Sequence, residues 1–178
     1  MAHHALVAYE RPDGRYDVHT SRLGGLDCRL ARTISPSDPY AGGDVDPTPN
    51  VVARPFEHVL TMVDPVRHEA VYRVGVEYDV ETYLPLWFGL AHYFDTCSAE
   101  NDDRGLLVAV DGPDEAAELR QWFRAAKGVL ATGIEAGTLG VAEAHTILDR
   151  AVREWASEVY EPRGLGGDGT ESWRTDEQ

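Results

Sequence analysis

Lysine is almost missing from this chain. Lys127 is the only lysine among 16 basic residues, whereas acidic residues number 31 and the formal net charge is -15. Carboxylates hold water and hydrated cations at a protein surface, and proteins that stay soluble in concentrated salt combine many of them with few lysines. We therefore predict a halophilic protein whose fold loosens through charge repulsion at low salt. An acidic interaction protein from an ordinary organism is the alternative.

Cysteine and long apolar runs are scarce as well. Cys28 and Cys97 are too few for a disulfide framework and lack metal-ligand spacing, which predicts small buried side chains in a reducing cytoplasm. No apolar run reaches the roughly 18 residues of a transmembrane helix. The N-terminus lacks a basic segment followed by an apolar stretch, so the sequence predicts no signal peptide. The chain is therefore expected to be a soluble cytoplasmic protein.

The motifs of common enzyme classes are missing. The sequence has no Walker A loop, no GxGxxG after a strand, no HExxH, no GxSxG and no paired CxxC. Nucleic-acid binding needs a basic surface that releases counterions, and the acidic balance argues against it. We therefore predict no cofactor, no membrane partner and no nucleic-acid partner. A protein partner and the oligomeric state stay open.

Residues 5–22, ALVAYERPDGRYDVHTSR, have the pattern of a β-hairpin. Pro12 suits the first turn position, and Gly14 suits the left-handed position of a type I turn with a bulge. Such a turn fixes the register of the two strands and places Val7 opposite His19.

The two faces of this hairpin differ in character. The expected core face is apolar and consists of Leu6, Ala8, Tyr16 and Val18. The other face carries His19 beside Asp17, opposite Val7 and Tyr9. Because this second face is mixed, we expect it to be partly covered.

The rest of the chain predicts an α+β fold. The expected elements are a third strand at 26–34, a short helix from Pro55, strands at 69–78, 81–88 and 104–110, and two helices that end at Gly137 and Pro162. The result is an antiparallel sheet of about four to six strands that starts with the N-terminal hairpin and is packed by a C-terminal αα-hairpin. We predict one domain over residues 1–162, with a long acidic Pro/Gly loop at 35–50 that is functional or mobile, and a disordered tail at 163–178.

The first 32 residues are the one region that is not acidic, with five arginines against four acidic residues. The candidate binding surface lies here and comprises Tyr9, Arg11, Arg15, Asp17, His19 and Arg22. Asp17 is suited to orient the His19 imidazole as a general base, but no placed nucleophile accompanies the pair. A polar hairpin face is therefore favoured over a catalytic one.

A metal site is the alternative candidate. Imidazole and carboxylate ligands suit a divalent transition metal, and His19, His68 and Glu69 would supply them if they converged on one sheet face, together with His92 and Asp95. Nothing in their spacing requires convergence, and histidines that flank elements at the surface are common.

Several stretches resemble a known family. HALVAYERPDGRYDVHTSRLGGLDCRL, HEAVYRV, LWFGL and QWFRAAKGVL are together similar to the haloarchaeal domain-of-unknown-function family numbered 6735, over about residues 3–155. Family members carry HYSHWG where this chain has HTSRLGG, so Arg22 stands in place of a second histidine. The resemblance implies a haloarchaeal habitat and a shared fold, but no activity.

Two functions are carried forward from the sequence. The favoured one is a non-enzymatic binding or accessory protein of the haloarchaeal cytoplasm, because catalytic templates are missing and the N-terminal surface is basic and aromatic. The alternative is a small metal-dependent enzyme, such as a hydrolase, that uses His19, His68, Glu69 and Asp17.

Overall fold

The structure is a computed structural model that describes residues 3–90 and 104–162. The strands are β1 (His4–Glu10), β2 (Tyr16–Ser21), β3 (Val51–Arg54), β4 (His68–Val74), β5 (Val80–Trp87), β6 (Gly105–Val110) and β7 (Val159–Tyr160). The helices are α1 (Leu30–Thr33), α2 (Phe56–Thr61), α3 (Pro113–Glu135) and α4 (Val141–Trp155).

The strands form one sheet in the order β3-β2-β1-β4-β5-β6-β7. Neighbours pair antiparallel except β1 and β4, which run parallel. A parallel pair needs a long connection, and the chain supplies it by passing through β2, β3 and α2 before it returns beside β1. The predicted α+β class is confirmed, with the N-terminal hairpin and the two C-terminal helices in place. The sheet has more strands than expected and includes one parallel pair.

The N-terminal hairpin has the predicted turn and register. The Gly14 N–H donates to the Arg11 carbonyl at 2.9 Å, and the Arg11 N–H donates to the Arg15 carbonyl at 2.7 Å. Gly14 has φ 75°, the left-handed conformation of a bulged type I turn. Val7 lies opposite His19, as the turn chemistry requires.

Helices pack on two regions of the same face of the sheet. The strands β5 and β6 pack on α3 and α4 through a cluster that includes Leu84, Leu86, Leu106, Val108, Leu119, Phe123, Leu148 and Val152. The strands β1 and β4 pack on α1 and the following loop through Ala5, Val7, Tyr72, Val74, Leu30, Ile34 and Val45. The opposite face packs on α2 through Leu6, Ala8, Tyr16, Val18, Val71, Tyr83, Leu107 and Val59. Both hairpin faces are therefore core faces.

The predicted strand at 26–34 is wrong. Residues 26–28 form a 3-10 turn and α1 follows, with Asp27 and Cys28 in the left-handed region at φ 50° and 51°. The alternation of Leu26, Cys28 and Leu30 imitates a strand, but Leu30 and Ile34 are buried together because they lie one helical turn apart.

Other boundaries also differ from the sequence pattern. The strand predicted at 69–78 ends at Val74, because residues 75–79 form a turn. The last helix ends at Trp155 rather than at Pro162, which frees the chain to add β7 beside β6. The edge strand β3 was not expected at all.

Some predicted features lie outside the described residues. These are the tail at 163–178 and the residues His92, Asp95 and Cys97. In the part of the chain that the structure covers, no helix has both the length and the apolar character of a membrane span.

Candidate functional site

The hairpin brings four members of the predicted binding surface side by side: Tyr9, Arg11, Asp17 and His19. The remaining two lie apart, with Arg15 in the turn before β2 and Arg22 just after β2. Seven residues of extended chain separate them by roughly 23 Å, so no small ligand contacts both.

His19 lies under the surface and is held in a fixed orientation. Its side chain is 4% exposed and contacts two rings, with centroids 5.1 Å from Tyr9 and 5.7 Å from Tyr40. Its Nδ1 lies 2.8 Å from the carbonyl oxygen of Asp46. Since a carbonyl only accepts, the proton of the neutral imidazole is on Nδ1. This places His19 in a rigid aromatic cluster, with more cover than its mixed strand face predicted.

The loop at 35–50 supplies that cover. The Tyr9 hydroxyl donates to the Pro39 carbonyl, and Val45 forms an isolated bridge with Ser21 at the end of β2. Burial raises the pKa of Tyr9, with a further contribution from Tyr40, so the phenol stays protonated and able to donate. The loop is thus docked on the hairpin by its own hydrogen bonds.

Asp17 serves the backbone and Arg11 rather than His19. Its carboxylate accepts the Ala53 N–H at 2.8 Å and lies 3.2 Å from the Arg11 guanidinium. A general base oriented by Asp17 would need a contact between Asp17 and His19, and these two side chains do not hydrogen-bond. The Asp17 carboxylate joins β3 to the hairpin instead.

The candidate metal ligands are not brought together. His19 lies opposite Val7 of β1, whereas His68 lies opposite His4 on the other side of the same strand. Three residues along β1 and two strand spacings separate their backbones by roughly 14 Å. Glu69 instead contacts His3, with 2.8 Å between the carboxylate and Nδ1.

No group of three or more His, Cys, Asp or Glu side chains suited to a metal ion occurs among residues 3–90 and 104–162. His68 itself is engaged, since its Nδ1 accepts the Asp64 N–H at 3.0 Å. The metal-dependent alternative stays a prediction, and its members His92 and Asp95 lie outside the described residues.

The segment that follows β2, residues 22–29, is a second and more accessible feature, which we name the Arg22 loop. Arg22 is exposed, and so are two large apolar side chains, Leu23 at 46% and Leu26 at 38%. Arg22 belongs to the surface predicted from the sequence, whereas Leu23 and Leu26 do not. Their signal is the motif LGGL, because a glycine pair after a strand forces a turn that leaves flanking leucines little to pack against.

The backbone of the Arg22 loop is anchored tightly to the sheet. The Gly24 carbonyl accepts the Tyr72 hydroxyl at 2.5 Å, and the Gly25 N–H donates to the His3 carbonyl at 2.8 Å. A side chain at Gly25 would place its Cβ 2.7 Å from the Glu69 Cβ, so only glycine allows this close approach. The loop therefore presents Arg22, Leu23 and Leu26 on a rigid support.

The arginines of the first 32 residues fall into two groups, those that form an ion pair and those that do not. Arg11 pairs with Asp17, and Arg29 pairs with Asp44. None of Arg15, Arg22 and Arg32 forms an ion pair within the described part of the chain. An exposed cation without a carboxylate partner is available to a partner molecule.

These features define an α+β protein whose ordered loop offers leucines and an arginine to solvent. The chain matches the family of unknown function DUF6735 over residues 1–44 and 41–161, and it belongs to that family. Its resemblance to this family is thereby confirmed over nearly the whole chain. No curated protein and no solved structure matches the chain.

Proposed function

We propose that this protein is a non-enzymatic binding or accessory protein of a halophilic cytoplasm that engages an acidic protein partner through the Arg22 loop. One observation carries the proposal: two exposed leucines stand beside an unpaired arginine on a loop whose backbone is anchored to the sheet. Apolar anchors and arginine are typical of interface centres.

The energetics of the loop favour association. Covering each half-exposed leucine contributes roughly 1 kcal/mol of apolar burial. Because the loop is already ordered, association does not have to order it, and this entropy cost is avoided. Arg22 is able to form a bidentate pair with a carboxylate of the partner, which suits a partner that is itself acidic.

The experiment is site-specific photo-crosslinking with the full chain in a haloarchaeal extract kept in concentrated KCl. A benzophenone side chain replaces Leu23 in one protein and Val76 in the control, since Val76 is 55% exposed at another place. We expect one acidic protein to be crosslinked from position 23 and not from position 76. The variant Arg22→Glu should weaken this crosslink about tenfold, whereas Arg124→Glu, the same charge change on α3, should not.

Two results would contradict the proposal. One is an identical set of crosslinked proteins from positions 23 and 76, which is the behaviour of non-specific contact. The other is a crosslink from position 23 that survives Arg22→Glu and Leu26→Asp unchanged, because both substitutions remove chemistry that the proposed interface uses.

A further inference from the structure

A groove lies between α2 and the junction of α4 with β7, away from the Arg22 loop. Its volume is about 580 Å³, within the size range of small-molecule sites. The charged and basic residues that line it are Glu57, His58, Arg153 and Glu161, and Leu60, Val159 and Tyr160 also face it. Apolar, aromatic and charged side chains thus face one space.

The uncompensated charge of the groove is negative. The Arg153 guanidinium lies 2.9 Å from the Asp149 carboxylate and 2.6 Å from that of Glu161, so its charge is balanced on two sides. Glu57 is exposed and forms no ion pair within the described residues. Glu158 accepts the hydroxyl of Tyr160 beside the groove. Four carboxylates, those of Glu57, Asp149, Glu158 and Glu161, thus lie in or beside the groove against two basic side chains, those of His58 and Arg153, so an entering cation meets an excess of carboxylates.

The aromatic wall of the groove belongs to a cluster of rings that contacts the Arg73 guanidinium of the same chain. The Tyr160 ring lies 5.9 Å from the Phe56 ring and 5.8 Å from the Tyr83 ring, centroid to centroid. Within this cluster the Arg73 guanidinium carbon lies 5.2 Å from the Phe56 centroid. The hydrogen bond to Glu158 raises the pKa of Tyr160 to about 12, so the phenol stays protonated and keeps donating to that carboxylate.

We propose that this groove binds a small organic cation, a guanidinium or alkylammonium group carried on a short apolar body. Tyr160 offers its ring to the cation, and Glu57 offers a carboxylate that forms no ion pair within the described residues, whereas the Glu161 carboxylate is shared with Arg153. Leu60 and Val159 contact the apolar body. The groove is separate from the Arg22 loop, so the test of this site and the test of the proposed function can succeed or fail independently.

The test is a calorimetric titration of the full chain with two matched probes, butylguanidinium and its neutral isostere butylurea, at one fixed KCl concentration. We expect butylguanidinium to bind at least about tenfold more tightly than butylurea, because only the charged probe uses the ring and the carboxylates. Glu57→Gln and Tyr160→Leu should each weaken butylguanidinium binding about fivefold. Tyr160→Phe should retain it, since the ring remains.

The control variant is Glu118→Gln, which removes the same charge from an exposed position of α3 outside the groove. It should leave the affinity unchanged. Three results would each overturn the proposal. The first is equal affinity for the two probes, the second is an equal effect of Glu57→Gln and Glu118→Gln, and the third is failure of the full chain to bind butylguanidinium. Should Tyr160→Leu fail to fold, Glu57→Gln against Glu118→Gln decides.

Discussion

His19 and His68 lie on the strands that flank β1, and a backbone group fixes each imidazole in a different tautomer. His19 donates from Nδ1 to a carbonyl, whereas His68 accepts an N–H at Nδ1 and so carries its proton on Nε2 when neutral. A protonated His68 can no longer accept the Asp64 N–H, so protonation at this position costs a hydrogen bond.

This cost predicts a pH dependence of stability at His68. Burial lowers the pKa of His68 below its ordinary 6.5, so the unfolded chain binds a proton there at a higher pH than the folded chain. The free energy of unfolding should be fully retained above pH 6.5 and should fall as the pH drops through 6.5 towards the folded-state pKa. In His68→Asn a carboxamide oxygen still accepts the Asp64 N–H and does not titrate.

Urea unfolding between about pH 7 and pH 5 measures the effect. We expect a flatter pH profile for His68→Asn than for the wild type, while Gln121→Asn, which changes no titratable group at an exposed position of α3, keeps the wild-type slope. Parallel profiles for His68→Asn and the wild type would show that His68 titrates alike in both states.

At the scale of elements, β3 is an edge strand with a built-in irregularity. Ala53 has φ 54°, the left-handed region that costs a residue with a Cβ roughly 1–2 kcal/mol. The Asp17 carboxylate accepts the Ala53 N–H and so holds this conformation. The register between β2 and β3 shifts between Tyr16 and Val18, beside the same carboxylate. One side chain of the hairpin thus determines the shape of its neighbour.

Glycine substitution should distinguish the strained Ala53 from Ala109, an alanine in a regular strand. Ala53→Gly relieves the left-handed strain but adds chain entropy to the unfolded state, so its stability should lie within about 0.5 kcal/mol of the wild type or above it. Ala109→Gly, in the regular strand β6, lacks the relief and should cost about 1 kcal/mol. Chemical denaturation measures both, and an equal loss in the two variants would contradict strain at Ala53.

Local sequence patterns predict some elements of this fold and do not predict others. The turn residues Pro12 and Gly14 determine the hairpin register, and Pro113 begins α3 where expected. In contrast, β7 has two residues and exists only because β6 is there to pair with, so no local pattern reports it. The cover over His19 depends on Pro39 and Asp46, whose contacts with the hairpin span about 30 residues of sequence.

At the scale of the whole molecule, the large negative net charge makes stability depend on the salt concentration. A net charge of -15 on 178 residues repels itself in dilute buffer, and the ion pairs of the described residues lie at or near the surface, where each contributes about 1 kcal/mol or less. Packing of the three apolar clusters must therefore overcome a repulsion that depends on the solvent. Screening by salt reduces this repulsion, because the Debye length falls from about 10 Å at 0.1 M to about 3 Å at 1 M.

The melting temperature should consequently rise with KCl. A chain of this size gains about 2–4 °C for each kcal/mol, so we expect an increase of several degrees between dilute buffer and molar KCl. Differential scanning calorimetry across a KCl series measures it. A melting temperature that is the same at all salt concentrations would contradict the halophilic interpretation of the composition.

The irregular edge at Ala53 has a consequence in such salt. When screening reaches a few ångströms, like charge no longer keeps two copies of an acidic protein apart, and an open strand edge can template aggregation. On one border of this sheet β3 is short and bulged, and on the other β7 offers only two residues. Resistance to edge-to-edge aggregation at high salt thus comes from the shape of the borders, and charge contributes little to it.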